Sequence, residues 1–208
     1  MALWKRAGGA LRQKTRTNLP VVPAGKAVNA IRPSVEGFVA VKQVLHANDG
    51  MWKTEPTYLR DPVVTTRQWF RNGVAIPGAT DGQYRVAPTD VGSTFTIRVT
   101  GSGPGLESQS VDSAASAPAK WNSKVTARSR PGKKKATITI RPVSYGPAKP
   151  TGSVTIKLRN KTIKTVRLKN GQAVVTIRMK RKQKLDIFYN GSSTTHASRA
   201  PLFVRIKK

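Results

Sequence analysis

The sequence predicts an all-β protein with two tandem antiparallel β-sandwiches behind a basic N-terminal arm. Three observations support this fold class. Apolar and polar residues alternate with a period of two in short runs, and turn residues separate these runs at spacings of roughly 8–12 residues. No apolar pattern of helical period extends over a useful length. The 208 residues are enough for two domains of about 100 residues each.

Shifts in composition divide the chain into four parts. We predict the arm at residues 1–18, the first sandwich at 19–113, a linker at 114–121 and the second sandwich at 122–208. The linker sequence, Ala-Ala-Ser-Ala-Pro-Ala-Lys-Trp, lacks the alternation of the segments on either side.

The arm has two interpretations. It is either a terminus that becomes ordered only on contact with a partner, or a docking arm anchored by Trp4. No acidic residue accompanies its cations, which are Lys5, Arg6, Arg12, Lys14 and Arg16.

Strands of the first half are predicted where β-branched and aromatic residues cluster. Such runs begin at Phe38, Val63 and Phe95. Turn pairs separate them, and Asn72-Gly73 is the strongest hairpin signal among these.

The second half alternates more cleanly. The turn Lys169-Asn170-Gly171-Gln172 predicts a tight type I′ hairpin between two of its strands. Five predicted strands place these apolar residues on one face: Ala136, Ile138 and Ile140; Val154, Ile156 and Leu158; Val175, Ile177 and Met179; Leu185, Ile187 and Tyr189; Leu202, Val204 and Ile206.

Charge is distributed unevenly along the chain. The formal net charge is +29, of which the arm carries +5, residues 19–113 carry +1 and residues 114–208 carry +23. In the last segment, Asp186 is the one acidic residue against 24 lysines and arginines. Such asymmetry between halves predicts an anionic partner for the basic parts.

Alternation also predicts where the cations of the second half point. Because the apolar residues fill one face of each strand, the interleaved lysines and arginines must face solvent. We therefore predict an anion-binding surface on the strand exteriors and on the loops at 133–135 and 180–184. Its residues are Lys133, Lys134, Lys135, Lys157, Arg159, Arg178, Lys180, Arg181, Lys182 and Lys184.

The composition argues against a catalytic or cofactor-binding protein. The chain has no cysteine, and His46 and His196 lie in different predicted domains without companion ligands nearby in sequence. We find no phosphate-binding loop, nucleophile elbow, paired acids or calcium loop. We also find no apolar stretch of membrane-spanning length and no secretory signal. We therefore expect no enzyme activity, cofactor, metal, membrane insertion or small-molecule substrate.

The aromatic residues are predicted to serve mainly as core. Trp69 and Tyr84 form either a carbohydrate platform or, as we expect, part of the first core. Trp121 either plugs the domain junction or stacks on a partner. Four more aromatic residues lie in the second half, and the pattern assigns most of them to the second core: Tyr145, Phe188, Tyr189 and Phe203.

Short motifs of the first half lie around its tryptophans. They are Gly50-Met51-Trp52, Gln68-Trp69-Phe70-Arg71-Asn72-Gly73, Ile76-Pro77-Gly78-Ala79-Thr80, Tyr84, Asp90-Val91-Gly92 and Ile97-Arg98-Val99-Thr100-Gly101. This set resembles the immunoglobulin-like repeats of actinobacterial surface proteins and phage proteins. The resemblance implies that Trp69 is the buried tryptophan of a central strand and that Asn72-Gly73 turns the following hairpin.

The second half carries a different set of motifs. They are Pro150-Thr151-Gly152-Ser153-Val154-Thr155-Ile156, Leu168-Lys169-Asn170-Gly171-Gln172-Ala173 and Phe188-Tyr189-Asn190-Gly191. This set resembles another group of bacterial immunoglobulin-like domains, from which the high positive charge departs. Both resemblances imply spacer, adhesive or particle-decorating roles and no catalysis.

Three functional hypotheses follow from these observations. The first is an accessory structural protein of a phage virion, which decorates capsid or tail by docking its basic parts on an acidic protein lattice. The second is a module of the bacterial cell surface that serves in adhesion or as a spacer and binds anionic envelope polymers. The third is a protein that binds nucleic acid without sequence preference.

Overall fold

The computed structural model of the protein describes residues 25–57, 62–179 and 181–207, so the predicted arm and Lys180 lie outside the described residues. The described ranges fold into β-strands and one short 3₁₀ turn, which confirms the all-β prediction. The first half contains β1 (Gly25–Ile31), β2 (Ser34–Glu36), β3 (Val44–Asn48), β4 (Met51–Glu55), β5 (Val64–Arg71), β6 (Val74–Ala75), β7 (Gln83–Arg85), β8 (Phe95–Ser102), β9 (Leu106–Glu107) and β10 (Gln109–Asp112). The second half contains β11 (Ser123–Gly132), β12 (Lys135–Ser144), β13 (Ser153–Leu158), β14 (Lys161–Arg167), β15 (Ala173–Arg178), β16 (Gln183–Tyr189) and β17 (Ser198–Val204).

The first sandwich packs two antiparallel sheets around a tryptophan. One sheet has the strand order β10-β8-β5-β6 and the other β2-β3-β7, while β4-β1-β9 forms a small third sheet. Trp69 on β5 is fully buried, and its indole N–H donates to the Asp81 carbonyl at 2.8 Å. Core packing is therefore the role of Trp69, and the carbohydrate-platform alternative does not apply to it.

The predicted hairpin at Asn72-Gly73 is confirmed. Both residues have positive φ, 50° and 80°, as a type I′ turn requires, and the turn joins β5 to β6. Asp90, the first residue of the motif Asp90-Val91-Gly92, ends the 3₁₀ turn Pro88–Asp90.

A buried carboxylate stabilises the end of that turn. The Asp90 side chain is 0% exposed and accepts hydrogen bonds from Arg71 Nη1 at 2.7 Å, the Tyr84 hydroxyl at 2.9 Å and the Ala87 amide at 2.8 Å. Burial, with the Asp90 hydrogen bond as the next cause, raises the pKa of Tyr84 to about 12. Tyr84 is thus a structural residue whose neutral form the fold favours.

The second sandwich follows the predicted alternation. Its sheets have the orders β11-β12-β15 and β14-β13-β16-β17. Their inner faces supply a second apolar core, which contains Val125, Ala136, Ile138, Ile140, Val154, Ile156, Ala173, Val175, Ile177, Met179, Leu185, Ile187, Tyr189 and Val204. Strand β14 forms one edge of its sheet, and six of its seven residues are exposed.

Tight hairpins join the strands of the second sandwich. Asn170 and Gly171 have φ of 50° and 76°, which confirms the predicted type I′ turn. A second turn of this kind uses Arg159 and Asn160, with φ of 48° and 66°, between β13 and β14. The prediction of Arg159 as a strand residue is therefore wrong, because β13 ends at Leu158 and the chain reverses there.

The segment 114–121 is hydrogen-bonded to both sandwiches. The Ala119 amide donates to the Ser93 carbonyl, and the Lys120 carbonyl accepts from the Val41 amide at 3.0 Å, both in the first sandwich. The next residue bonds to the second sandwich, since the Trp121 amide donates to the Thr194 carbonyl at 2.9 Å.

Aromatic side chains fill the junction. The Trp121 ring packs on Gly146, where an added Cβ would lie 2.5 Å from the indole, and also against the first core. The His196 ring lies 4.4 Å from the Phe38 ring, and its Nε2 is 3.0 Å from the Val39 carbonyl oxygen. Trp121 therefore plugs the junction.

We expect Tyr84 to make the first domain sensitive to alkali. The pKa of Tyr84 is about 12 in the fold and 10.0 without it, so the unfolded chain loses this proton first as pH rises. The stabilisation is complete below pH 10 and is lost as pH rises from about 10 to about 12. Urea unfolding followed by NMR signals of the Trp69 ring should show a steeper decline of the free energy of unfolding over this range for the wild type than for Tyr84→Phe. Tyr145→Phe, at an exposed tyrosine, is the control, and equal slopes for wild type and Tyr84→Phe would contradict the assignment.

Candidate anion-binding surfaces of the second domain

The first domain neutralises most of its charge internally. Arg98 holds both oxygens of Asp112 at 2.6 and 2.8 Å, and this hydrogen bonding holds the pKa of Asp112 below its ordinary value. In the described part of this domain the ion pairs are Asp49 with Arg67, Glu55 with Lys53, Asp90 with Arg71, Glu107 with Lys26 and Asp112 with Arg98.

The second domain has almost no such pairing. Among its described residues the ion pairs reduce to one, in which Arg199 Nη2 lies 2.9 Å from Asp186 Oδ1. The remaining cations of the domain therefore keep their positive charge available to a partner.

The outer face of the sheet β11-β12-β15, named here the Thr–Arg face, alternates hydroxyls with cations. Each central arginine faces a threonine on the neighbouring strand, with Arg128 opposite Thr139 and Arg130 opposite Thr137. A shallow groove on this face is lined by Thr126, Arg128, Arg130, Thr137, Thr139 and Arg141, and the face ends in Lys135 and Arg178, which oppose each other in register. These two cations make this end of the face strongly electropositive, and they repel each other because they face each other in register.

The outer face of the sheet β14-β13-β16-β17, named here the Phe–cation face, combines aromatic rings with cations. Lys157 Nζ and Arg199 Cζ lie 4.9 and 5.2 Å from the centre of the Phe188 ring. Lys184 Nζ lies 5.9 Å from the Phe203 ring. These distances are within the range of cation–π contact.

Most of four aromatic residues were predicted to lie in the second core, but two of them are largely exposed and a third is half-buried on an outer face. Tyr189 is buried, and its hydroxyl donates to the Thr151 carbonyl. Tyr145 and Phe203 are each 63% exposed, and Phe188 lies on the Phe–cation face. The prediction that most of the four lie in the core is therefore wrong, because Phe188 and Phe203 occupy outward positions of β16 and β17 and Tyr145 follows the end of β12.

Hairpin ends concentrate further cations at one end of the domain, named here the basic tip. Strand β11 runs from beside Trp121 to Gly132, a length of about 30 Å, so the tip lies far from the junction. The Met179 amide donates to the Lys134 carbonyl, and the backbone of Lys133 forms an isolated β-bridge with the backbone of Lys207. The basic tip comprises Lys133, Lys134, Arg181, Lys182 and Lys207.

The predicted binding residues are therefore distributed over several surfaces. Arg178 and Lys135 lie on the Thr–Arg face, Lys157 and Lys184 on the Phe–cation face, and Arg159 in a turn. Lys133, Lys134, Arg181 and Lys182 form the basic tip. Lys180 and the arm residues Trp4, Lys5, Arg6, Arg12, Lys14 and Arg16 lie outside the described residues.

Four arginines at the surface were not among the predicted binding residues: Arg128, Arg130, Arg141 and Arg199. The first three occupy alternate positions of β11 and β12, where the period of two continues. Extension of the alternation into the segment 123–132 is the signal that locates Arg128 and Arg130.

Other kinds of site have little support in the described ranges. No group of three or more His, Cys, Asp or Glu residues in these ranges could hold a metal ion. Nor do the described residues include a helix with the length and apolarity needed to cross a bilayer.

Salt should stabilise the second domain selectively. Its like charges repel one another in the fold, and about 1 M salt shortens the screening length to about 3 Å, from about 30 Å at 0.01 M. A gain of about 1 kcal/mol raises the Tm of a domain of this size by about 4–8 °C. Thermal melts followed by NMR signals of Tyr189 should show this rise, whereas those of Trp69 in the first domain should move little. Equal shifts of Tm in both domains would contradict the inference that charge repulsion is concentrated in the second domain.

Comparisons with known proteins give structural likeness only. No protein-family model matches the sequence, and no curated protein matches it. Similar solved structures include the mouse nectin-like molecule 4 ectodomain, with 9% identity over 88% of this chain and 65% of that chain and a TM-score of 0.30. They also include the fibronectin(III)-like modules of Clostridium thermocellum CbhA, with 10% identity over 84% of this chain and 94% of that chain and a TM-score of 0.36. A bacterial ice-binding adhesin matches with 12% identity over 87% of this chain and 65% of that chain, with a TM-score of 0.31. This chain thus spans 65% of the length of the nectin-like and adhesin chains.

Proposed function

We propose that this chain is a non-enzymatic structural module of a phage virion. Its basic second domain docks on an acidic protein lattice of the capsid or tail, and its near-neutral first domain is displayed. The observation that carries the proposal is the contrast in charge pairing. The described part of the first domain pairs five of its carboxylates with cations, whereas the second, with 24 cations against Asp186 over residues 114–208, has one ion pair among its described residues.

The Thr–Arg face has the character of a docking surface for carboxylates. Arg128, Arg130 and Arg141 offer planar guanidinium groups, which bind carboxylates through paired N–H donors. They project from a hydrogen-bonded sheet, so a partner meets cations at fixed spacing rather than on a loose tail. Charge of one sign steers the approach of an oppositely charged surface and weakens with salt.

The junction supports display of the first domain in a defined direction. Backbone hydrogen bonds attach Lys120 to the first sandwich and Trp121 to the second. In addition, Lys120 Nζ donates to the carbonyl of Ser192, in the second sandwich, at 2.9 Å. A domain joined in this way transmits the orientation of its docked neighbour.

A second candidate function is a cell-surface module that binds anionic envelope polymers. It is favoured by the presence of cations on two outer faces and on the basic tip, because a flexible polymer can contact several sides of a domain at once. In that case the chain belongs to the bacterial surface rather than to the virion.

Localisation is the experiment that separates these two functions. An antibody against the chain should detect it in purified phage particles and only weakly in the cell envelope. Washing the particles with about 1 M salt should release most of it, because the screening length falls to about 3 Å. Enrichment in the envelope would contradict the virion proposal. Retention of the protein on the particles at high salt would contradict attachment by electrostatic attraction.

The docking face can be tested with matched variants. The triple variant Arg128→Gln, Arg130→Gln, Arg141→Gln should slow rebinding to stripped particles about tenfold or more, because charge steering of this kind changes association rates by about 10- to 1000-fold. Lys26→Gln, Arg32→Gln, Arg85→Gln removes the same charge from the first domain and should rebind as the wild type does. Equal rebinding by both triples would contradict docking through the Thr–Arg face, and thermal melts verify that both remain folded.

A further inference from the structure

We propose that the Phe–cation face is a binding site for single-stranded nucleic acid, in addition to the docking function proposed above. The site combines an exposed aromatic ring for base stacking with cations for the phosphates. Proteins that bind single strands without sequence preference use this combination.

Phe203 supplies the stacking surface. Its side chain is 63% exposed on β17, beside Leu202 and Val204, which point inward. A phenyl ring left in water is an unfavourable arrangement that a planar base can relieve. Lys184 lies opposite Phe203 in register, with its Nζ 5.9 Å from the ring, so a phosphate next to the stacked base would meet this ammonium group.

Phe188 positions two further cations. Arg199 lies opposite it on β17 and Lys157 lies on the other side on β13, with both charged groups close to the ring. Contact with the ring limits the conformations of these long side chains, so less entropy is lost when they bind a phosphate. Because Arg199 is engaged by Asp186, the Lys157 ammonium group marks a second phosphate position on the same sheet.

The two aromatic–cation pairs are aligned along β16. Lys184 and Phe188 are four residues apart on one face of this strand, which separates the pairs by about 13 Å. Asp186 lies between them but is paired with Arg199 at 2.9 Å, and Pro201 faces it across the sheet. The pairing offsets the charge of the carboxylate, and the path between the two positions remains suitable for an extended polyanion.

The aromatic rings distinguish a single strand from other polyanions. A duplex keeps its bases stacked inside, and an acidic protein surface or a polyphosphate has no bases to stack. Only a single strand uses both Phe203 and the cations, and because every base has a π-face the binding should be indifferent to sequence.

The test compares two probes on the full chain. Fluorescence anisotropy gives the affinity for a labelled oligothymidylate of about 12 nucleotides, within the site sizes of single-strand binding folds. Phe203→Leu should lower this affinity about 5- to 150-fold, the contribution of one stacked base, and Phe203→Trp should restore it. Tyr145→Leu, which removes an equally exposed aromatic outside the face, should have no effect. Affinity for inorganic polyphosphate should be the same in all four proteins.

Salt dependence separates the ring from the cations. Lys157→Gln and Lys184→Gln should each reduce the slope of log affinity against log salt by about 0.7, whereas Phe203→Leu should leave the slope unchanged. Equal oligonucleotide affinity for wild type and Phe203→Leu would overturn the proposal, as would an equal loss of oligonucleotide and polyphosphate binding. Particle docking by Phe203→Leu should remain normal, so failure of this site and failure of virion docking are observed separately.

Discussion

The second domain must keep a large excess of positive charge out of its core with one carboxylate to assist. Lysines and arginines without an anionic partner stay at protein surfaces, so each strand has to turn its cations toward water. Strict alternation with isoleucine, valine and leucine meets this requirement, and it produces an apolar core and two basic faces together. The Thr–Arg face, the Phe–cation face and the basic tip all follow from this one constraint.

The first domain has the same class of fold under a different constraint. Its cations and carboxylates are nearly equal in number, so surface strands can carry ion pairs of modest energy, such as Arg98 with Asp112. Asp90 differs because it is fully buried and satisfied by three donors, including Arg71 and Tyr84. The two halves thus share an architecture but differ in what their surfaces can attract, and the function lies in that difference.

Local patterns in the sequence were sufficient to predict much of this structure. Alternation located the strands β5, β8, β12, β13, β15, β16 and β17, and Asn-Gly pairs located two hairpins, because such turns need positive φ. The strand predicted from Phe38 is wrong, since the chain turns at residues 41–42 and β3 begins only at Val44. The turn at Arg159 was missed because Arg-Asn lacks the glycine that usually marks a type I′ turn. Phe188 and Phe203 lie outside, as the alternation of β16 and β17 requires, because Ile187 and Tyr189 on β16 and Leu202 and Val204 on β17 occupy the inward positions. The contacts of Phe188 with Lys157 and Arg199 depend on the pairing of β13, β16 and β17, and no local pattern specifies that register.

Strand β14 has a consequence for how many copies can share a small space. An edge strand offers unpaired backbone donors and acceptors, which invite a strand from a second molecule to extend the sheet. This edge carries Lys161, Lys164 and Arg167, and a second copy would bring the same three charges against them. Mutual repulsion therefore opposes pairing of two copies through β14, so neighbouring molecules can lie close together without joining their sheets along this edge.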